Sequence, residues 1–248
     1  MLKRAVIKIS GEALSGNSGM FDEQIIGNIA RQLKMMPETE LALVTGGGNI
    51  WRGKDAAGAK PFLHRARADQ IGMLGTVING LYLSERFKLS GIESVVMTPF
   101  HVGAITELFS VEAALKAMRH GKLVISAGGT GRPYFSTDTA AALLAAELEA
   151  DCVLYAKNVD GVYTDDPKKN PGAKKFRRVT YSRVIEGRLE AADTAAMAIS
   201  LDAGTDSFLF GLNEGDSIIN AYRAASGRDE GCHSGTMISE TCEEDYYV

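Results

Sequence analysis

Lys8 stands inside an apolar run, Ala5-Val6-Ile7-Lys8-Ile9, that Ser10-Gly11 closes. An ammonium in such a run is costly to bury unless it reaches water or an anion at the run's end. Either the side chain snorkels to solvent, or it meets a bound anion where Gly11 lets backbone N–H groups approach a ligand. A second loop, Gly46-Gly47-Gly48-Asn49-Ile50-Trp51-Arg52-Gly53, follows another apolar run. Three glycines there form either a flexible turn or a nest of N–H donors, and Arg52 adds a bidentate fork suited to phosphate. Residues 48–54 also spell the start of a P-loop, but Asp55 occupies the place of the Mg²⁺-holding hydroxyl. A carboxylate there repels phosphate, so the match is a decoy.

Two further loops carry unusual residues. Gly128-Gly129-Thr130-Gly131-Arg132-Pro133-Tyr134-Phe135-Ser136-Thr137-Asp138 opens a helical pattern, which puts its hydroxyls and amides at a positive helix N-terminus. Its density of glycine, hydroxyl and arginine favours ligand contact, although Thr137 or Asp138 also suits a simple N-cap. In Lys157-Asn158-Val159-Asp160-Gly161-Val162-Tyr163-Thr164-Asp165-Asp166-Pro167, Asp160-Gly161 forces a turn. Tyr163 offers either a flat face to a base or a packing peg. Beyond it, six of the eleven residues in 168–178 are basic, which suits a solvated loop and an anion site equally well.

The chain shows no Ser–His–Asp set and no evident general base. Its cysteines (Cys152, Cys232, Cys242) and histidines (His64, His101, His120, His233) lack metal-site spacing. Phosphoryl transfer needs none of these, because its loose transition state is stabilised by positioning and positive charge. An acceptor that is itself a phosphate, with a second pKa near ~6, is largely ionised at neutral pH and needs no base. The pattern therefore favours a phosphate or carboxylate acceptor over an alcohol.

Such loops need a scaffold that gathers them. Strand-like runs at 5–9, 41–44, 94–97, 123–126, 152–156 and 208–210 alternate with helical patterns. The helical patterns lie at 22–36, 68–89, 111–119, 139–149, 181–185, 194–201 and 218–225. This alternation predicts an α/β fold, a mainly parallel sheet with helices on both faces and ligands at the carboxyl ends of the strands. The 248 residues suffice for one domain, with the acidic tail 239–248 expected to fray. A net charge of −4 argues against a general nucleic-acid binder. No apolar run reaches the roughly 20 residues of a membrane span, and the N-terminus shows no signal-peptide pattern, so a cytoplasmic location is expected.

In order and spacing, these loops, together with Asp69-Gln70-Ile71-Gly72-Met73-Leu74-Gly75-Thr76, resemble the bacterial UMP kinases (uridylate kinases) of the amino-acid-kinase superfamily. The resemblance runs from Lys8 to about Ile238. It implies a three-layer αβα sandwich around an eight-stranded, mainly parallel sheet, ATP with Mg²⁺ as donor, UMP as acceptor, and a homohexamer. No protein-held metal site is implied. Carried over by matching position, Lys8 sits at the transferring phosphoryl group and, with Arg52, is catalytic. Ser10 and Gly11 line the ATP phosphates, while Tyr163 and Asp166 contact the adenosine, with Lys157 or Asn158 nearby. Gly47, Gly48 and Arg52 hold the UMP phosphate, Asp69 binds its ribose, and Thr130, Gly131, Arg132 and Thr137 lie along the uridine side. Arg132 departs from the pattern, which commonly has Asn there, and 192–196 and 210–213 match more loosely. Two other functions fit the same fold: a kinase of carboxylates or carbamate, and a non-catalytic nucleotide-binding relative. The 69–76 segment favours a nucleotide acceptor, and retention of Lys8 and Arg52 favours catalysis.

Overall fold

The structure is a computed structural model that describes residues 2–16, 19–51, 62–190, 192–212, 215–227 and 235–247. Arg52, Gly53, Lys54, Asp55, Asn213, Cys232 and His233 lie outside the described residues. In its first half the chain forms β1 (Arg4–Ile9), α1 (Glu23–Leu33), β2 (Glu40–Thr45), α2 (Arg65–Leu89), β3 (Ser94–Thr98), β4 (Glu107–Leu108), α3 (Val111–Arg119), β5 (Leu123–Ser126) and α4 (Thr137–Glu147). The second half adds β6 (Cys152–Lys157), β7 (Phe176–Val179), α5 (Tyr181–Glu186), α6 (Thr194–Ala203), β8 (Asp206–Gly211), α7 (Ser217–Ala225), β9 (Thr236–Ile238) and β10 (Asp245–Tyr246).

Strand periodicity sets the layers. Ala5, Ile7 and Ile9 enter a core with α1, α2 and α7, while Val6 enters the opposite core with α3, α4, α5 and α6. Leu41, Leu43, Cys152, Leu154 and Ala156 follow the first side; Ala42, Val44, Val153 and Tyr155 follow the second. The result is the expected αβα sandwich. Its strand order is β10-β7-β9-β8-β6-β1-β2-β5-β3-β4, parallel except at β8–β9 and β7–β10.

The sheet has ten strands among the described residues rather than eight. The sequence reading passed over β4, β7, β9 and β10, which are two to four residues long and carry no sustained apolar run. The tail also departs from expectation. Asp245 and Tyr246 pair with β7, Tyr246 stacks on Phe176, and the Tyr247 hydroxyl donates to the Gly235 carbonyl at 2.7 Å. These contacts hold an end that its acidity alone suggested would fray. Helix α2 starts at Arg65, a turn earlier than residue 68, because His64 Nδ1 accepts from the Ala66 amide at 3.3 Å.

Candidate active site

The same periodicity places the two lysines. Lys8 shares its face of β1 with Val6, and Lys157 shares its face of β6 with Val153 and Tyr155. With Lys8 in register with Tyr155, both ammonium groups lie under the N-terminus of α4. Asp138, the second residue of that helix, lies between them. Its Oδ1 is 2.7 Å from Lys8 Nζ, and its Oδ2 accepts from Lys157 Nζ. Lys8 and Asp138 are 6% and 7% exposed, so the snorkelling alternative for Lys8 is excluded. The Lys8–Asp138 Oδ1 contact is a close ion pair that takes at most one of the three ammonium N–H donors.

Burial pulls the Lys8 ammonium below the ordinary lysine value, and Lys157 adds to the fall while Asp138 opposes it. Burial alone would raise the Asp138 carboxyl. The charges of Lys8 and then Lys157 outweigh it and keep the group below the usual carboxylate range. Asp138 is thus an ionised residue that holds two cations together. The sequence left Asp138 between ligand contact and a simple cap; the structure shows it pairing with both lysines.

The cap itself is Ser136, whose Oγ accepts from the Asp138 amide at 3.0 Å and the Thr139 amide at 3.3 Å. Asp193 accepts from the hydroxyls of Ser136 and Thr139 and caps α6 through the Ala196 amide at 2.8 Å. One carboxylate therefore fixes the starts of α4 and α6 relative to each other. Its partners on α4 are 54 and 57 residues away in the chain, so local sequence marks only the Ala196 cap.

The glycine loops pack backbone against backbone. A Cβ on Gly11 would lie 2.6 Å from the Gly48 nitrogen and 2.7 Å from the Gly46 carbonyl oxygen. Gly11 is buried, so its small size serves the junction of the first two loops more directly than ligand access. Ser10 caps the short 3₁₀ turn Gly11–Leu14. Asn79, fully buried, donates to the Gly46 carbonyl at 2.6 Å and pairs with the Asn49 amide, which holds the nest from behind. Gly47 meets α2 in the same way, since a Cβ there would sit 2.7 Å from the Gly72 carbonyl oxygen.

A cavity of about 160 Å³ opens beside this junction, lined by Gly47, Trp51, Asp69, Thr76, Gly129 and Thr137 among others. It brings together three sequence-predicted residues, Gly47, Asp69 and Thr137. Thr130, Gly131 and Arg132 form a turn outside the lining, where Thr130 Oγ1 accepts from the Arg132 amide at 3.2 Å. Asp69 lies in the second turn of α2, past the free amides of the helix start, so it caps none of them. Both of its oxygens lie 3.0 Å from Arg65 Nε, and Oδ2 also accepts from the Tyr134 amide at 2.9 Å.

The predicted donor residues after Lys157 divide between two recesses. Tyr163 and Asp166 line one of about 370 Å³ with Lys168 and Arg188. Asn158 lines another of about 360 Å³ with Ser15, Gln32 and Ser217. The Tyr163 hydroxyl donates to Asp160 Oδ1 at 2.8 Å; burial and then that bond push its pKa up to about 12. Among the described residues no cluster of His, Cys, Asp or Glu could hold a metal, and no helix is long and apolar enough to cross a membrane.

The model of the amino acid kinase family matches residues 3–210. Uridylate kinase of Oenococcus oeni is 42% identical over 234 residues, spanning 92% of this chain and 94% of that one. The crystal structure of UMP kinase from Bacillus anthracis superposes with a TM-score of 0.90 at 32% identity, covering 100% of this chain and 99% of that one. UMP kinase from Ureaplasma parvum gives 0.87 at 32% identity, covering 96% and 98%.

Proposed function

The chain belongs to the amino acid kinase family, and from that premise we infer that it transfers the γ-phosphoryl group of ATP to UMP, giving UDP and ADP. The observation that carries the reading is the Lys8–Asp138–Lys157 cluster, in which Asp138 follows Thr137 of the acceptor cavity and Lys157 precedes Asn158 of a donor recess.

The chemistry follows from charge. In a loose transition state negative charge spreads over the transferring group, and preorganised cations stabilise it most where water is excluded. Lys8 meets that need, because Asp138 keeps it in place without saturating its N–H donors. Lys157 supports the donor side of the same group. The UMP phosphate, already ionised, attacks without a base; among the described lining residues there is no His, and the carboxylate Asp69 is paired with Arg65. Gly47, Gly48 and Arg52 receive that phosphate, Asp69 and Thr137 the nucleoside. On the donor side Ser10 and Gly11 stand at the phosphates and Tyr163 and Asp166 at the adenosine, with Asn158 nearby. Thr130, Gly131 and Arg132 are assigned to the uridine side by the family resemblance, although their turn lies outside the cavity lining.

The described residues do not fit a protein-held Mg²⁺, because the oxygens of Asp138 face Lys8 and Lys157. Mg²⁺ therefore enters with ATP as part of the substrate. The same reading assigns a cytoplasmic homohexamer. Leu74 and Ile78, 50% and 49% exposed one turn apart on α2, supply apolar surface for neighbouring copies to cover.

A coupled assay with ATP and a panel of UMP, CMP, dUMP, glutamate and carbamate tests the activity, with native mass measurement for the assembly. Turnover confined to UMP, with weak dUMP, is expected. Preferential phosphorylation of glutamate or carbamate would overturn the reading in favour of the carboxylate-kinase alternative.

A further inference from the structure

Tyr134 departs from ordinary backbone geometry beside the acceptor cavity. Its φ is +73°, a left-handed conformation that a bulky side chain rarely adopts, and its ring is 62% exposed. No burial of the ring explains the strain. The turn instead aims the Tyr134 amide at Asp69 Oδ2, 2.9 Å away. Arg65, four residues before Asp69 on α2, reaches the same carboxylate with Nε 3.0 Å from each oxygen. Its guanidinium carbon lies 5.3 Å from the centre of the Tyr134 ring, within cation–π range. One arginine thus holds both a cavity-lining carboxylate and the loop that bounds the cavity.

Lone-pair accounting gives this cluster a consequence for recognition. A carboxylate offers about four acceptor positions, two on each oxygen. Oδ2 is filled by Arg65 Nε and the Tyr134 amide, and Oδ1 gives one position to Arg65. A single lone pair on Oδ1 remains for a ligand. We propose that Arg65 is a positioning residue for the acceptor: it orients Asp69 so that Oδ1 accepts from one sugar hydroxyl, and it pins Tyr134 so that the 129–137 loop borders the bound nucleoside. This rests on reading the cavity as the UMP site and narrows the expected ribose-diol contact to one hydroxyl.

Initial rates with UMP and dUMP, and thermal melts, on wild type, Arg65→Met, Arg65→Lys, Asp69→Asn and the Arg65→Met/Asp69→Asn double variant test it. Arg65→Met should raise the KM for UMP by about tenfold, the scale of one lost oriented hydrogen bond, and lower kcat by less. Its UMP-to-dUMP ratio should fall to that of Asp69→Asn, and the double variant should show no further fall, as expected when one residue acts through the other. Arg65→Lys, which keeps the charge but loses the planar guanidinium, should recover part of the ratio. It also carries the test should Arg65→Met fold poorly. The proposal is overturned if Asp69→Asn lowers the ratio while Arg65→Met and Arg65→Lys both leave it at the wild-type value. If wild type shows no UMP turnover, or Asp69→Asn changes neither parameter, the acceptor reading itself has failed, and the proposal with it.

Discussion

Lys8, Asp138 and Lys157 meet beneath the N-terminus of α4, whereas nearby in sequence Lys169 pairs with Asp166 toward solvent. Both regions use the same side-chain types. In the first, burial pulls Lys8 below its ordinary pKa and makes each charge depend on the others. In the second, Lys169 is 84% exposed and water can replace its partner at little cost. The local dielectric therefore separates a buried cation, the one proposed to stabilise the transferring phosphoryl group, from a solvated one. Substitutions should have large effects in the first region and small ones in the second.

Lys8→Ala should give the largest loss. It removes charge from the developing transition state while Lys157 still satisfies Asp138, so kcat should fall by roughly 10²-fold or more and the KM for UMP should change little. Near-normal turnover in steady-state kinetics would remove Lys8 from the chemistry and erase the contrast between the regions.

Asp138→Asn should come next, with a signature in pH. The Asp138 charge opposes the fall in the Lys8 pKa, so its removal lets the ammonium deprotonate at lower pH. The alkaline limb of kcat, expected below the ordinary lysine range in wild type, should move further toward neutral. Stability should respond in the opposite range. A carboxyl with a depressed folded pKa stabilises the fold above its unfolded value near ~3.9 and loses that contribution as pH falls through the folded pKa. Wild type should therefore lose this stability in acid, and Asp138→Asn should flatten that arm of a melting-temperature profile. Leaving buried Lys8 and half-buried Lys157 without their anion should also destabilise the variant at neutral pH, by about 3–5 kcal/mol on the scale of broken buried pairs.

Asp69 lies between the extremes, at 15% side-chain exposure and paired with Arg65. Wild type should prefer UMP to dUMP by about tenfold in kcat/KM, and Asp69→Asn should shrink that ratio mainly by losing UMP activity. The alternative, a helix-dipole role, predicts lost stability with an unchanged ratio. Its place in the second turn of α2 argues against that outcome.

These distinctions were unevenly legible in the sequence. A lysine in an apolar strand is conspicuous, and period two placed Lys8 on a definite face of β1. Asp138 carried no such mark: one partner lies 19 residues away and the other on β1, so only the folded register reveals the bridge. Gly11 was noticed for the right reason, the need for no Cβ, but the close neighbour is Gly48 rather than a ligand. β7 escaped because Phe176-Arg177-Arg178-Val179 buries only its ends. Basic composition there suggested open loop, and pairing with β9 and β10 decided otherwise.

The smallest expected effect is at Lys169, and it tests whether the basic stretch 168–178 is an anion site or a solvated loop. Its charges are partly matched within the chain: Lys169 lies on Asp166, Lys175 on Asp160 and Arg177 on Asp245. A stretch so matched attracts phosphate less than its six cations suggest. Lys169→Ala should change the KM for ATP by less than about twofold, and salt should screen away even that effect, as it does for exposed charges beyond a Debye length of ~8 Å. Lys8→Ala, whose loss arises where water is excluded, should keep its deficit from low to high salt. Measured side by side against ionic strength, the two variants should diverge. A Lys169 variant with a tenfold, salt-sensitive rise in the KM for ATP would make this loop part of donor binding and narrow the contrast between the regions.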